Sequence, residues 1–309
     1  MAKRIIRLSF FLLFFLFISC NSSKEVYIFT SFHEPADAGL RYLYSEDGYH
    51  WDSIPGVWLK PELGNQQLMR DPSIVKGKDD TYHLVWTTSW KGDKGFGYAS
   101  SKDLINWSEQ KMIQVMEHEP TTVNVWAPEL FYDDEEELFY IVWASTVPFR
   151  FEKGIEEENN NHRLYYVSTK DFETFSETKL YLDPNFSVID AVIVKRAPKD
   201  YVLVLKDNTR PNRNLKISFG NFPTDKFDTV SAPFTEEFVE GPTVTKVGDD
   251  YLIYFDMYRR KIYGAMKTND FINFEDITEK ISIPNGHKHG TIVKVPYSIL
   301  KNLKKSAKL

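Results

Sequence analysis

One cysteine, Cys20, occurs in 309 residues, so no internal disulfide can staple this chain. Charge of one sign is also lacking. Lys and Arg number 38 against 44 Asp and Glu, a net −6 with the two signs mixed along the chain. The basic face that marks a nucleic-acid binder is therefore missing. A membrane-spanning run is missing too: Ile5 to Ile18 is almost wholly apolar but too short for a comfortable span. What the chain does have is core-forming material, 42% hydrophobic and 15% aromatic, ample for one large all-β domain.

The apolar run has a basic front in Lys3, Arg4 and Arg7 and ends in "FISC", the plan of a leader removed before folding. An apolar run, small residues and then Cys resemble a bacterial lipobox. The resemblance implies cleavage before Cys20 and lipidation of its thiol; an ordinary signal peptide with an incidental Cys is the other reading. Residues 1–19 are thus read as leader, 20–25 as a tether and 26–309 as a single domain.

Five stretches share one pattern: "DPSIVKG" at 71, "APELFYD" at 127, "IDAVIVK" at 189, "EGPTVTK" at 240 and "HGTIVKV" at 289. Their starts lie about 50 to 60 residues apart, the size of a four-stranded propeller blade. The first four each precede a run dense in Val, Ile, Tyr, Phe and Trp, such as "LFYIVWAST" and "YLIYFDMYR", as buried strands require. A third element recurs as "SEDGYHW" (45), "SKDLINW" (101), "STKDFETF" (168) and "TNDFINF" (268). There the Asp can close a turn while the aromatic packs between sheets. These are not sialidase Asp-boxes, whose Gly and Thr-Trp they lack, and blade three departs from them with "ISFGNFPTDKF".

The fifth first-strand has almost no chain after it. "VYIFTSF" (26–32) and "GLRYLYSEDGYHW" supply its second and third strands from the other terminus. The expected fold is an all-β, five-bladed β-propeller, closed by pairing of N- and C-terminal strands in the last blade, which removes an open edge. The polar loop "FRFEKGIEEENNNHR" (149–163) is expected on the surface, at the pocket rim.

In a propeller the first strands line the axis, so their heads meet in one pocket. The heads carry Asp71, Glu129, Asp190, Glu240 and His289. Carboxylates gathered in one cavity repel and raise some pKa values, which a core does not need and a paired-carboxylate catalyst does. Turn capping is the other reading of Asp71 and Asp190, core packing of Glu129, and a bond to a backbone carbonyl of His289; His287 is read as structural. Trp90 and Trp126 could stack on a sugar or pack in the core. Lys206 in "VLKDN" breaks an apolar strand with charge, which needs a reason. Arg259 could bind a hydroxyl or carboxylate. "SFHEP" places His33 or Glu34 near the rim.

Asp-Pro-Ser, Trp-Ala-Pro-Glu, Ile-Asp and Glu-Gly-Pro, in that order and spacing, resemble glycoside hydrolase family 43, the five-bladed inverting arabinofuranosidases, xylosidases and arabinanases. The match covers roughly residues 26 to 297. No single motif is specific; the ordered set is. The resemblance implies Asp71 as general base, Glu240 as general acid, and Asp190 as the carboxylate that orients Glu240 and holds its pKa up. It implies His289 as the axial histidine, which in parts of the family contacts a water-bound metal. No cofactor is required, although a water-coordinated Ca²⁺ in the central channel fits the pattern. "IDAVI" lacks the commoner Pro after the acid, which puts the geometry of that turn in doubt.

The expected activity is inverting exo-hydrolysis of plant-type glycans, with terminal α-L-arabinofuranosides first. The alternatives are β-xylosides, β-galactosides and agar-type oligosaccharides, or a lipid-anchored propeller that binds glycans without chemistry. The retaining sucrose-type hydrolases are set aside, because of their signatures only "RDP" occurs, at 70 to 72. An oligosaccharide or polysaccharide is the expected partner of a monomer that meets the membrane only through its lipid, in the cell envelope.

Overall fold

Every run singled out by the repeat forms a strand. The computed structural model describes residues 24–308 apart from 228; the leader 1–19 and Cys20 lie outside the described residues. Arg70–Lys76, Trp126–Asp133, Val188–Ala197, Glu240–Val247 and Ile292–Pro296 are the innermost strands of five antiparallel sheets. They touch in ring order, the last returning to the first. Four sheets have four strands; blade three has three, where the recurrent turn motif is missing from the sequence.

The closing blade is assembled from both termini. Glu25–Ser31 pairs antiparallel with Ile292–Pro296 on one side and with Arg41–Ser45 on the other. The N-terminal strand is thereby paired on both sides, which avoids the aggregation hazard of an unfinished sheet. Ile292–Pro296 runs directly into a helix, α1 (Tyr297–Ser306), which buries Leu300 and Leu303. Their three-residue spacing places them on one helical face, packed with Val26 and Val295.

The four Ser/Thr–Asp motifs build one turn four times. The Asp47 carboxylate accepts the N–H groups of Tyr49 and His50 at 2.7 and 2.8 Å. Asp103, Asp171 and Asp270 do the same two and three residues on, at 2.8–2.9 Å. Backbone donors favour the charged carboxylate, and those from Thr174 and Glu173 pull Asp171 down to about 2. The closing aromatics fill the seams between blades. Trp51 stands 5.5 Å from Phe29 and 5.9 Å from Tyr254, inside a cluster shared by the closing blade and blade four. Burying a side chain such as Phe29 stabilises the fold by about 1.5–3 kcal/mol.

The 149–163 insertion does not rim the pocket. It is fastened over blades two and three instead. Arg163, 1% exposed, pairs with Asp183 and donates to the Asn161 side chain and the Glu152 carbonyl. Glu156 accepts the Arg210 N–H at 2.6 Å. A buried guanidinium needs all these acceptors, and they draw the loop away from the axis.

Deleting residues 289–309 removes the innermost strand of the closing blade together with α1. The expected outcome is an insoluble product or one without a cooperative thermal transition by circular dichroism. A soluble truncation that melts cooperatively would show that the ring does not depend on this closure.

Candidate active site

The heads of four first strands share a local distortion. Asp71, Ala127, Asp190 and Gly241 have φ of 52, 44, 51 and 60°, in the left-handed region. The ladder register shifts beside each, between Arg70 and Ser73, Trp126 and Glu129, Ile189 and Val192, and Glu240 and Thr243. Each of these four first strands thus carries a bulge at its head, which re-aims side chains at a sheet end. Asp tolerates this conformation better than most residues. At Gly241 a Cβ would stand 2.5 Å from the His289 ring, so close approach of the axial histidine requires glycine. Asp190 keeps the bulge without the missing Pro.

The bulge also corrects the alignment of the heads. Glu240 precedes the left-handed residue of its blade, in the place held by Arg70, Trp126 and Ile189 elsewhere. Glu129 follows its own by two residues. One strand step turns a side chain over, so the acids occupy different depths. Asp71, Asp190, Glu240 and His289 line one cavity of about 1030 Å³, with His33, Glu34, Trp90 and Trp126. Glu129 lies deeper, 9% exposed, where the Thr291 hydroxyl donates to it at 3.1 Å. It is outside the cavity and not placed to touch a substrate.

Two other expected contacts are also relocated. Arg259 does not line the cavity; its guanidinium lies 3.2 Å from the Phe238 ring centre. Its neighbours Tyr258, Arg260 and Lys261 face the cavity instead, because a turn after the strand breaks the two-residue alternation. Lys206, 2% exposed, reaches the site through Glu240, to which it donates at 2.8 Å. That contact is the reason for the charge in "VLKDN". Trp90 and Trp126 meet edge to face, centroids 5.6 Å apart. Arg70 covers a face of Trp90 at 3.8 Å, and His162 stacks on Trp126 at 4.9 Å. Trp90 remains 43% exposed. His287 lines the cavity as well, its ring held at 3.0 Å by both Ser31 and Ser53.

His289 organises the charges. Its Nδ1 lies 3.3 Å from Asp71 Oδ1. Burial works against its charged form, but the bond to Asp71 and the fields of Asp190, Asp71 and Glu129 win, raising it to about 9. At neutral pH it is an imidazolium. Burial pushes Asp71 up, and His289, Arg70 and Thr87 pull it down further. Thr87 accepts the Ala127 N–H at 2.8 Å and donates to Asp71 Oδ2 at 3.0 Å, a fixed donor that suits a carboxylate. Asp190 Oδ2 accepts the Gly241 N–H at 3.0 Å, yet burial and the charges of Glu240 and Asp71 raise it.

Glu240 departs from expectation. Burial pushes its carboxyl up, but the charge and hydrogen bond of Lys206 bring the balance below the usual range. Asp190 does not hold Glu240 protonated; Lys206 favours its ionised form. His289 Nδ1 is committed to Asp71, so a water-bound ion in the channel would have to be met through Nε2. Among the described residues no group of three or more His, Cys, Asp or Glu is arranged to hold an ion.

Glu34, Arg70, Asp256, Lys288, Tyr258 and Tyr263 complete the walls. Arg70 grips both Glu34 oxygens at 2.9 Å, and Lys288 donates to Asp256 at 2.6 Å. Sequence reasoning overlooked the second pair, although Asp256 in "YLIYFDMYR" breaks an apolar strand with charge as Lys206 does.

Glu129 is raised to about 7, burial outweighing the Ser73, His289 and Thr291 contacts. Its folded-state pKa lies above the usual 4.5, so its protonated form is favoured by folding. Stability is lost as pH rises from 4.5 and the loss is complete above about 7. Glu129→Gln should leave stability near pH 4 unchanged and raise it at pH 8, on the order of 2 kcal/mol. Thermal melts at the two pH values check this; equal effects at both would contradict it.

Comparison with known proteins agrees with the geometry. Residues 23–298 match a family described as a probable glycosyl hydrolase domain, related to glycoside hydrolase family 43. An α-L-arabinofuranosidase of Bifidobacterium longum subsp. longum is 23% identical over 150 residues, 41% of this chain, which spans only 14% of that protein's length. The crystal structure of an α-L-arabinofuranosidase from Lactobacillus brevis superposes with a TM-score of 0.52 at 17% identity, covering 67% of this chain and 72% of that one. A family-43 β-1,3-galactosidase, solved with galactodeoxynojirimycin, gives 0.53 at 11% identity over 70% and 76% of the two chains. At such identities these structures speak for the propeller fold. The family match spans nearly the whole described domain: the chain belongs to the glycosyl hydrolase domain family related to glycoside hydrolase family 43.

Proposed function

We propose that the protein is an inverting glycoside hydrolase that releases a terminal neutral sugar from plant-type glycans. The observation that carries this reading is three carboxylates, from blades one, three and four, lining one cavity, with one of them, Asp71, tied to an imidazolium. Asp71, ionised by His289 and Thr87, takes the proton of the attacking water. Glu240 delivers a proton to the departing oxygen, and Asp190, bonded to the backbone just after Glu240, orients it. An inverting pair works with its carboxyls about 6.5–9.5 Å apart, leaving room for water.

Glu240 must be protonated to act as the acid. Its side chain is 37% exposed. A sugar that covers it expels water and strengthens the burial effect against Lys206. Lys206→Met removes the group that depresses Glu240, so its pKa moves up. The alkaline limb of the kcat/KM profile should then shift to higher pH. An unmoved limb would assign that limb to another group. The same ion pair favours a second reading, in which Asp190, raised by burial, is the donor and Glu240 stays charged.

Leaving-group dependence separates the two. Glu240→Gln should slow natural glycosides by on the order of 10² to 10⁴ and activated aryl glycosides far less, whereas Asp71→Asn should slow both alike. Equal losses for Glu240→Gln would move the acid to another residue. NMR of the first-formed anomer tests inversion directly, and retention would sink the single-displacement scheme. Absence of turnover on every aryl glycoside would instead favour a non-catalytic glycan-binding propeller.

Terminal α-L-arabinofuranosides are the first substrates to examine, with β-xylosides and β-galactosides next. The relatives bear arabinofuranosidase and galactosidase names, and the inner cations Lys206, Lys288, Arg70 and His289 are each already paired with a carboxylate. That leaves little call for an acidic sugar. Exo-action rests on the enclosing walls formed by the "SFHEP" stretch, the Trp90–Trp126 pair and residues 283–288. The 149–163 insertion no longer supports it. We further propose a monomer anchored in the cell envelope through a lipid on Cys20.

A further inference from the structure

Glu240, Asp256 and Tyr263 stand in register across blade four, Glu240 opposite Asp256 and Asp256 opposite Tyr263. Residues directly opposite in an antiparallel pair project from the same face. All three line the cavity. They form a row that leads outward from the proposed acid at about 4.8 Å per strand, a step close to the span of a sugar ring.

Several polar atoms along this row lack partners. The Tyr263 hydroxyl is buried without a hydrogen bond among the described residues, in a side chain only 7% exposed. The Tyr258 hydroxyl and His33 Nε2, on other parts of the same wall, are also buried and unpartnered. Asp256, 3% exposed, accepts from Lys288 through Oδ2 alone; Oδ1 takes no hydrogen bond among the described residues. Lys288 spends one of its three N–H donors on that bond. Buried polar groups are nearly always satisfied. Free acceptor, donor and hydroxyl side by side on a cavity wall mark where ligand hydroxyls belong.

We infer that Asp256, Lys288 and Tyr263 form the specificity site of this enzyme, reading a vicinal diol of the sugar whose glycosidic oxygen faces Glu240. Each sugar hydroxyl both donates and accepts. One gives its hydrogen to Asp256 Oδ1 and takes one from Lys288; its neighbour pairs with the Tyr263 hydroxyl. A deoxy sugar leaves the buried ion pair short of a partner, the arrangement that rejects an analogue most strongly. The inference rests on the proposed function for the placement of the sugar but not for its binding.

The test therefore measures binding as well as turnover. L-Arabinose, D-xylose and D-galactose are titrated into the full chain by NMR, with their 2- and 3-deoxy analogues. Asp256→Asn, Lys288→Met and Tyr263→Phe should each weaken the sugar that binds best by on the order of 10- to 100-fold. The deoxy analogue lacking the recognised hydroxyl should bind wild type and variant alike. Tyr263→Phe removes an unpartnered hydroxyl, so its melting temperature should hold or rise while affinity falls, a combination that a purely structural role would not give. If Tyr263→Phe and Asp256→Asn, folded by near-UV dichroism, bind the sugars as wild type does, the inference is overturned. Sugar binding lost in the variants without turnover in the wild type would uphold this site and sink the catalytic reading.

Discussion

The positive charge of His289 is the element around which the other charges at the axis are arranged. Three acids, Asp71, Asp190 and Glu129, all push its proton affinity up. In return the imidazolium holds Asp71 ionised and lessens the cost of burying the others. Its position is itself constrained. His289 comes from the C-terminal half of the closing blade and fits only because Gly241, on blade four, offers no Cβ. Ring closure and charge balance are thereby the same structural event, since the strand that completes the ring brings in the cation that the gathered carboxylates need.

The fold was largely legible in the sequence because its determinants are periodic. A first strand, a denser second strand and a Ser/Thr–Asp turn recur, and the displaced half-blade at the N-terminus was recoverable from the shortage of strands at the other end. Blade three lost its fourth strand where its turn motif is absent. Helix α1 was left unassigned because two buried leucines on a lysine-rich segment repeat nothing else in the chain.

The site was legible by residue type and less so by depth. Reading all strand heads as equivalent placed Glu129 beside Asp71, Asp190 and Glu240. The bulges break that equivalence, since a shift of one or two residues sends a side chain to another face or level. A bulge depends on backbone conformation, and a non-glycine residue such as Ala127 in the left-handed region gives no sign of it in sequence. Arg259 failed for a related reason, as the turn beginning at Tyr258 ends the alternation on which its placement relied. Lys206 and Asp256 were found or findable by one rule: a charge in the middle of an apolar strand has a partner.

That rule also bears on what the cavity can hold. Taking a charge out of water is costly unless a counter-charge stands nearby, and here the counter-charges are supplied by the protein. Lys206 serves Glu240, Lys288 serves Asp256, Arg70 serves Glu34 and His289 serves Asp71. A ligand placing its own carboxylate or sulfate among these inner pairs would have to break one of them and leave an acid uncompensated. A neutral polyol does not. It can insert hydroxyls between existing partners, accepting from a lysine and donating to a carboxylate, without altering the charge balance. The one place where binding must shift that balance is Glu240, whose protonation the chemistry requires. It is also the most exposed of the three proposed catalytic carboxylates, and so the one whose surroundings change most when a sugar displaces water.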